Sequence, residues 1–407
     1  MRHTVLMAVM AAAAIEAALV PRLGHAQTAA PVADTRASEI VAQQAAKART
    51  ARPYEPGVAE AVVKKLDEVL LSGRFPWHPY LGTAYQGAGL TLGAGYRWHL
   101  GDYNALAVRG AMSLNESKRV ETEFRAPYVF GRRAVMMALA DWREGLDQRF
   151  YGLGTATTSV DDRSQFDFRQ ASMSTSLDAR PTRGAWVAGS GIQVSRFEQR
   201  VSAGSAFARG YSAATLPGLG ATVTYLQTHG TMALDWRPAE GYARRGGYYG
   251  VTARRFDDVD GGDFSFRQIE YEAVQHVPVL RDAWAISLRG RVETTYAGDG
   301  HEVPFFLMPA LGNGVTLRGF TSGRFRDRHS LLLSAEWRVL INAAADVAFF
   351  YDAGKVTSRR GDLDLKGLKS DYGIGLRLHT LSATPLRIDL ARSNEGFVVV
   401  FGSSAAF

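Results

Sequence analysis

Short runs in which apolar and polar residues alternate constrain the fold of this chain more than any other feature of its sequence. The alternation begins at about Tyr85, and Gly, Asp, Asn and Pro separate one run from the next. Successive side chains of a β-strand point to opposite faces, so the pattern predicts strands with one apolar and one polar face. The clearest runs are 331–340, 346–354, 372–379 and 386–392.

In these four runs the polar face carries charge, which leaves two interpretations. A soluble β-sandwich would bury the apolar faces in a core and turn the charge to water. A barrel in a membrane would turn the apolar faces toward lipid and the charge toward the lumen. Aromatic residues near the predicted strand ends favour the membrane, because such residues form girdles at its two interfaces. They are Trp98, Tyr103, Trp142, Tyr151, Trp236 and Tyr248.

The N-terminus supports the membrane interpretation. It combines a basic start at Arg2, an apolar, Ala-rich run over 5–20, and small residues at Gly24 and Ala26. This is the pattern of a secretory signal peptide that is cleaved before Gln27. Later segments lack the roughly 18 uncharged apolar residues of a transmembrane helix, so a membrane-spanning chain would have to cross with strands.

Composition excludes several other classes of protein. The chain has 407 residues, no cysteine and a formal net charge of +7. The absence of cysteine excludes a disulfide scaffold, a thiolate metal site and a cysteine nucleophile. Lys and Arg are scattered singly, so the positive charge does not indicate a nucleic-acid partner. Metal-binding and phosphate-binding motifs are missing, and we predict neither a metal nor a cofactor.

The sequence therefore predicts an all-β fold, a transmembrane antiparallel β-barrel preceded by a short N-terminal helical segment. At about twenty residues per strand and turn, the barrel would have about 16 strands. We assign 1–26 to the signal peptide, 27–76 to a linker with a short amphipathic helix, and 77–407 to the outer-membrane barrel. The helix is expected within 57–71, where apolar residues recur at helical spacing. It would pack on the periplasmic rim or, alternatively, act as a plug or docking helix.

A long, Gly-rich loop between two of the predicted strands contains the sequence Leu317-Arg318-Gly319-Phe320. If this loop folds back into a barrel, Arg318 needs an acidic partner on the wall, because its guanidinium stays charged. Glu336 and Asp352 follow the loop and fall on the charged faces of their runs. The alternative is that Arg318 is an ordinary solvated loop arginine.

Several motifs follow one another in an order that points to a known family. The strongest are TLRGF at 316–320, GRFRDRHSLLLSAEWR at 323–338, FFYDAGKV at 349–356 and YGIGLRLHTLSATPLRIDLARS at 372–393. Weaker ones are RFYGLGT at 149–155, LDWRPAEGYARRGGYYG at 234–250 and VPFFLMPALG at 303–312. With these motifs, residues 77–407 resemble the bacterial surface antigen superfamily of outer-membrane barrels. This family includes the BamA/TamA-like assembly and translocation proteins and their two-partner-secretion relatives.

The resemblance implies a sixteen-stranded barrel whose sixth extracellular loop places its Arg-Gly-Phe tip in the lumen. Arg318, Gly319 and Phe320 match that tip. Glu336 and Asp352 match the acidic residues of strands 12 and 13 that hold the loop arginine. The alternation independently places both carboxylates on the lumen side, and we therefore expect these five residues to form a loop latch.

The resemblance also sets the expected function and its alternatives. We expect an outer-membrane protein that helps to insert or translocate proteins or lipid through a weak strand seam. Its partners would be the lipid bilayer, and client proteins or a separate periplasmic docking protein. Better-known family members carry periplasmic POTRA domains before the barrel, and about fifty residues leave no room for them here, so we expect a POTRA-less member. A porin-like or structural barrel without assembly activity is the alternative function.

The last run, 397–407, is expected to be a closing strand with an aromatic terminus. Gly402 and Phe407 resemble the C-terminal signal by which barrel proteins are recognised for insertion, although Ala405 is smaller than usual there. Its Ser, Ala and Gly residues would suit a loosely packed seam, and an ordinary closing strand is the alternative.

Enzymatic chemistry has little support in the sequence. A Gly-x-Ser-x-Gly nucleophile elbow is absent, and we predict that the protein is not an enzyme. His379 with Ser382 or Asp389 is a remote alternative, a lipid-modifying site at the barrel edge.

Overall fold

A computed structural model describes residues 40, 43–44, 46–47, 57–66, 68, 75–82, 84–85, 87–155, 160, 163–180, 184–201, 210–280, 283–402 and 404–407. The predicted signal peptide lies outside the described residues. Helix α1 spans Val58–Leu66, within the stretch where a helix was expected. Of the helices that the described residues form, none has the length and apolar character needed to span a membrane.

The predicted linker contains helix. Five of its described residues before α1 are helical, namely Ile40, Gln43, Gln44, Ala46 and Lys47. The surrounding sequence favours a helix, because Ala, Gln and Lys have high helix propensity even without an apolar stripe.

Sixteen strands form one antiparallel sheet in which each strand pairs with its neighbours in chain order. The predicted fold class, an antiparallel barrel of about 16 strands, is confirmed. Two further strands, β12 (Ala310–Leu311) and β13 (Phe325–Arg326), form a separate two-stranded sheet inside one loop. The next two strands, β14 (His329–Asn342) and β15 (Ala345–Thr357), are therefore the twelfth and thirteenth strands of the barrel. The strands are β1 (Trp77–Gly82), β2 (Thr91–Leu100), β3 (Asn104–Ser113), β4 (Lys118–Val129), β5 (Ala134–Phe150), β6 (Ser164–Ala179), β7 (Trp186–Arg200), β8 (Thr222–Asp235), β9 (Gly246–Asp258), β10 (Phe266–Val279), β11 (Trp284–Ala297), β12 (Ala310–Leu311), β13 (Phe325–Arg326), β14 (His329–Asn342), β15 (Ala345–Thr357), β16 (Lys369–Leu378), β17 (Leu386–Ser393) and β18 (Gly396–Gly402).

The two faces of the strands have the exposures expected of a barrel in lipid. Outward apolar side chains such as Trp337, Phe349 and Ile374 are exposed, whereas Glu336 and Asp352 on the opposite face are buried. A soluble sandwich would instead bury the apolar side chains and expose the charged ones. The charged face therefore lines the interior, where side chains, not water alone, provide the counter-charges.

Long loops lie at one end of the strands and shorter turns at the other. This asymmetry is typical of outer-membrane barrels, in which the long loops are extracellular and the short turns periplasmic. The loops are 151–163, 201–221, 298–328 and 358–368, and the turns include 101–103, 130–133 and 343–344.

An aromatic cluster fills the interior at the loop end. It consists of inward side chains near the loop ends of β5 to β10, together with Phe305 and Phe306 from the loop after β11. Ring centroids of Phe305 lie 5.2 Å from Phe150 and 5.1 Å from Phe166, mostly edge to face. The members are Phe150, Phe166, Phe168, Phe197, Tyr225, Phe256, Phe266, Phe305 and Phe306.

The strands at the two ends of the sheet order are short. β1 has 6 residues and β18 has 7, compared with 17 in β5. β1 also contains Pro79, which has no backbone N–H to donate. The edges that would meet at a seam therefore carry few backbone hydrogen-bonding groups.

The C-terminal run differs from the expected strand over 397–407. The strand ends at Gly402, and Ser404 to Phe407 follow it without strand structure. Ser404, Ala405 and Ala406 are therefore not part of the paired strand, whose outward face carries the exposed side chains of Phe397, Val399 and Phe401. The physical reason is that Ala and Ser have weak strand preference and present no apolar face for lipid.

Candidate functional site

The loop between β11 and β14, residues 298–328, folds into the interior of the barrel; we call it loop 6. β12 and β13 pair within it through Ala310 with Arg326 and Leu311 with Phe325. Beyond this small sheet the chain turns at two glycines, Gly312 and Gly323, whose φ angles are +93° and +69°. Such angles strain any residue with a Cβ, so the glycines allow the tight entry and exit of the tip.

Arg318 at the tip of loop 6 binds two carboxylates of the wall. Its Nε donates to Oδ2 of Asp352 at 2.7 Å, and its Nη2 donates to Oδ1 at 3.0 Å. Its Nη1 donates to Oε2 of Glu336 at 2.9 Å. The guanidinium thus makes a two-point contact with one carboxylate and a single contact with another, a geometry that Lys cannot reproduce.

The contact between Arg318 and its two carboxylates is buried, so it fixes the position of the loop tip. Arg318 is 1% exposed, and its guanidinium carbon lies 3.6 Å from the ring centroid of Phe350. Burial by itself lowers the pKa of Arg318, but the Asp352 and Glu336 carboxylates more than offset it, and the pKa is raised overall. The arginine is therefore always charged, and removing its partners would leave that charge buried and unpaired.

Further charged residues connect Arg318 to the neighbouring strands. Glu336 also accepts from Nη2 of Arg377 at 2.9 Å, and Arg377 binds Asp389 in turn. Asp389 lies 3.7 Å from Nη1 of Arg318 and accepts from Arg387 at 3.2 Å. Arg377, Arg387 and Asp389 lie on the charged faces of the alternating runs 372–379 and 386–392, but the alternation gave no sign that they join one network.

The backbone of the loop tip touches the wall at Gly319. A Cβ at this position would lie 2.5 Å from the Cβ of Asp371 and 3.1 Å from the carbonyl carbon of Arg392. The carbonyl of Gly319 accepts from the hydroxyl of Ser393 at 2.8 Å. Glycine is thus required by close approach to β16 and β17, not by its backbone angles.

Phe320 and Leu317 anchor the tip through apolar contacts. Leu317 is 0% and Phe320 2% exposed, and both belong to a buried cluster with Phe325. The rings of Phe320 and Phe325 lie 5.0 Å apart, edge to face. The remaining members of this cluster are Leu311, Leu332 and Val356.

Two contacts behind the tip involve residues that the sequence did not single out for this site. The hydroxyl of Thr321 donates to the Tyr151 hydroxyl at 3.0 Å, and Nε of Arg324 donates to Glu395 at 2.8 Å. Tyr151 was predicted to belong to a membrane girdle, and this is wrong, because it is 1% exposed and faces the interior. It lies just after β5, where the alternation no longer defines a face.

A second segment, the β8–β9 turn at residues 236–245, also folds inward, from the opposite end. The Tyr242 hydroxyl donates to Oδ2 of Asp346 at 2.9 Å, and its ring stacks on His379 with centroids 3.9 Å apart. Burial, and after it the Asp346 charge, raises the pKa of Tyr242 to about 12, so the hydroxyl remains a donor. Arg338 donates to the carbonyl of Ala243. This contact places the turn beside Glu336, two residues before Arg338.

Two residues of the remote hydrolase alternative, His379 and Asp389, have other partners in the structure. His379 contacts Tyr242 and Asp346, while Asp389 is bound by Arg377 and Arg387. Within the described part of the chain, no group of three or more His, Asp or Glu side chains is placed to hold a metal ion.

The two residues predicted to form the C-terminal insertion signal, Gly402 and Phe407, lie in different parts of the structure. Gly402 is the last residue of β18, and a Cβ there would lie 3.0 Å from Nη2 of Arg387. The ring of Phe407 lies 5.9 Å from the guanidinium carbon of Arg289. Phe407 is thus off the strand, and the recognition signal remains a prediction.

Comparisons with known proteins identify the family of this barrel. Residues 99–397 match the model of the Omp85 superfamily domain. Among solved structures, BamA from Haemophilus ducreyi lacking POTRA domains 1–3 is 15% identical, with a TM-score of 0.60 over 80% of this chain and 68% of that chain. CdiB from Escherichia coli is 13% identical, with a TM-score of 0.51 over 81% of this chain and 61% of that chain. No curated protein matches the chain. The protein is an outer-membrane β-barrel, and it belongs to the Omp85 superfamily.

Proposed function

We propose that this barrel helps to insert or translocate proteins at the outer membrane, through a weak seam between β1 and β18 and with loop 6 latched in the lumen. The observation that carries the proposal is the two-point contact of Arg318 with Asp352 inside an Omp85 barrel. A loop tip that is merely solvated has no need of such a contact.

The latch has a physical role that does not require net stabilisation. Four arginines and four acids meet around the tip, and burying such a set offsets much of its electrostatic gain. What the network supplies is one defined position for loop 6 against β14 to β17. The arginines are Arg318, Arg338, Arg377 and Arg387, and the acids are Glu336, Asp352, Asp371 and Asp389.

The short terminal strands support a seam that can separate. Opening a barrel between β1 and β18 would break far fewer backbone hydrogen bonds than separating β5 from β6. An unpaired strand edge is a template for pairing with another chain. A client strand would add to such an edge by β-augmentation, in which main-chain hydrogen bonds supply the affinity.

A porin-like barrel is the alternative function, and the interior disfavours it. Loop 6, the aromatic cluster and the β8–β9 turn occupy the lumen from both ends, whereas conduction needs an open water-filled path. An occupied lumen of this kind is compatible with a barrel whose loops stay in position while the seam between β1 and β18 opens.

Depletion of the protein tests the proposed function. We expect the folded fraction of particular outer-membrane proteins to fall, as measured by quantitative proteomics of purified outer membranes. Complementation with the native chain restores it, and Arg318→Ala restores it less. An outer-membrane proteome that is unchanged on depletion, alongside a loss of small-solute permeability, would favour the porin-like alternative.

A further inference from the structure

A groove of about 400 Å³ lies at the loop end of β9, β10 and β11, beside loop 6. Its lining includes Arg255, Asp257, Arg267, Tyr296 and His301. Arg255, Arg267, Tyr296 and His301 are all exposed. The groove belongs to neither the loop 6 tip nor the network around Arg318.

The strand register places these side chains on the outside of the barrel. Phe256 pairs with Phe266, and both are buried in the aromatic cluster. Their neighbours Arg255 and Arg267, which also face each other across the two strands, therefore point outward. Arg267 is in turn opposite Tyr296 on β11.

The groove lies at the level of the extracellular interface of the membrane. The 14 residues of β11 rise about 35 Å at about 3.4 Å per residue and a tilt near 40°. Trp284 and Tyr296 are outward aromatics at its two ends, the positions of the two girdles. Outward apolar residues between them, such as Ile286 and Leu288, face the hydrocarbon. Arg267 and Arg255 thus sit where lipid headgroups begin.

The charges in the groove are incompletely paired. Like charges directly opposite one another on neighbouring strands are destabilising, and Arg255 opposes Arg267. Asp257 binds Arg255 through both oxygens, at 2.8 and 2.9 Å. Arg267 forms no ion pair with any residue that the structure describes. An anion between the two guanidinium groups would remove the repulsion.

Charges on β6 and β7 at the same rim are balanced, which contrasts with the groove. On β6 and β7, Arg200 is opposite Asp167, and Arg169 is opposite Glu198. Glu198 lies 3.0 Å from Arg200 and 3.5 Å from Arg196. Outward arginines therefore occur elsewhere on this rim, and on β6 and β7 each has an acid opposite it or in contact with it, whereas Arg267 on β10 has neither.

We propose that the groove binds a phosphate group of the phosphorylated glycolipid that forms the outer leaflet of the membrane. The planar forks of Arg255 and Arg267 suit phosphate oxygens. His301 adds a ring N–H donor, and the apolar strand surface below accommodates acyl chains. The site would hold an ordered lipid beside loop 6. Its binding would not depend on whether the seam between β1 and β18 opens.

Native mass spectrometry of the full-length protein tests this proposal. The probes are diphosphorylated lipid A, the same lipid A after removal of both phosphates, and inorganic phosphate as a competitor. We expect one diphosphorylated lipid to stay bound, and its affinity to fall about 30-fold in the double variant Arg255→Gln/Arg267→Gln. The matched control, Arg196→Gln/Arg200→Gln, removes two equally exposed arginines from the balanced part of the rim.

Three outcomes would overturn the proposal. They are equal retention of the dephosphorylated lipid, an equal loss of binding in the control variant, and displacement of the lipid by micromolar inorganic phosphate. The last outcome would assign the groove to a free anion. Heat-modifiability gels report whether each variant folds, and the single variant Arg267→Gln replaces the double variant if the latter does not.

Discussion

Gly319 of loop 6 lies directly against Asp371 of β16, so that a Cβ on the glycine would be 2.5 Å from the Cβ of the aspartate. The backbone of the loop tip therefore touches the barrel wall at this point. The side chain of the preceding residue, Arg318, binds Glu336 and Asp352 on the adjacent strands.

Gly319→Ala tests whether this close approach holds in the protein. The added methyl group must push the tip away from β16, which we expect to cost about 1–3 kcal/mol of the free energy of unfolding. The measurement is urea unfolding in detergent micelles, with protease cleavage of loop 6 as a local probe. Gly361→Ala is the matched control, because a Cβ there meets nothing within 4 Å. Equal stability of the two variants would contradict the packing described.

Arg318 and Asp352 are expected to be strongly coupled. Removing one partner of a buried ion pair costs about 3–5 kcal/mol, because the other charge stays buried. In a double-mutant cycle with Arg318→Ala and Asp352→Ala, the double variant should be clearly less destabilised than the sum of the single variants. Arg318→Lys should recover little, since Lys cannot make the two-point contact. Simple additivity would show that the two residues do not touch.

The aromatic cluster is expected to block conduction. In planar bilayers we predict low conductance for the native protein and a clear increase for Phe305→Ala/Phe306→Ala, because two rings are removed from the lumen. Each ring also contributes about 3–5 kcal/mol of packing, so folding must be checked in parallel. Phe349→Ala changes an outward, lipid-facing ring and should leave the conductance unchanged. A native barrel that already conducts like an open pore would contradict the account.

The Tyr242 hydroxyl is predicted to contribute modestly to the free energy of unfolding. Tyr242→Phe removes the donor to Asp346 but keeps the ring on His379, and Arg244 still binds Asp346 at 2.9 Å. We expect a loss of about 1 kcal/mol in the free energy of unfolding. The lipid-facing Tyr372→Phe is the control. A loss equal to that of the control would mean that the β8–β9 turn does not hold its position through this bond.

Sequence alternation predicted the part of this site that lies within strands. Glu336 and Asp352 were placed on the inner face because a strand has a strict two-residue period, and Arg377, Arg387 and Asp389 follow the same rule. Arg318 was singled out as a loop arginine that would need an acidic partner. The family resemblance then indicated that the loop reaches the wall, which alternation cannot do because a loop has no two-residue period.

The remaining contacts depend on how far the loops reach. The approach of Gly319 to Asp371 is set by the depth of the tip, which no local pattern encodes. Tyr151 was misassigned because the two-residue period stops at the end of β5. The length of β18 was overestimated, since Ser404 to Ala406 carry no alternation that would mark a strand end.

A disulfide across the seam between β1 and β18 tests the central claim most directly. The chain contains no cysteine, so a pair introduced between Trp77–Tyr80 and Phe397–Phe401 forms the only possible bridge. Several cysteine pairs across the seam are tested, and one that a non-reducing gel shows to be fully oxidised is selected. The reduced form of the same variant is the control. We predict that the oxidised barrel loses its ability to complement depletion, measured by the outer-membrane proteome, and that reduction restores it. Full complementation by the locked barrel would contradict a function that depends on the opening of this seam.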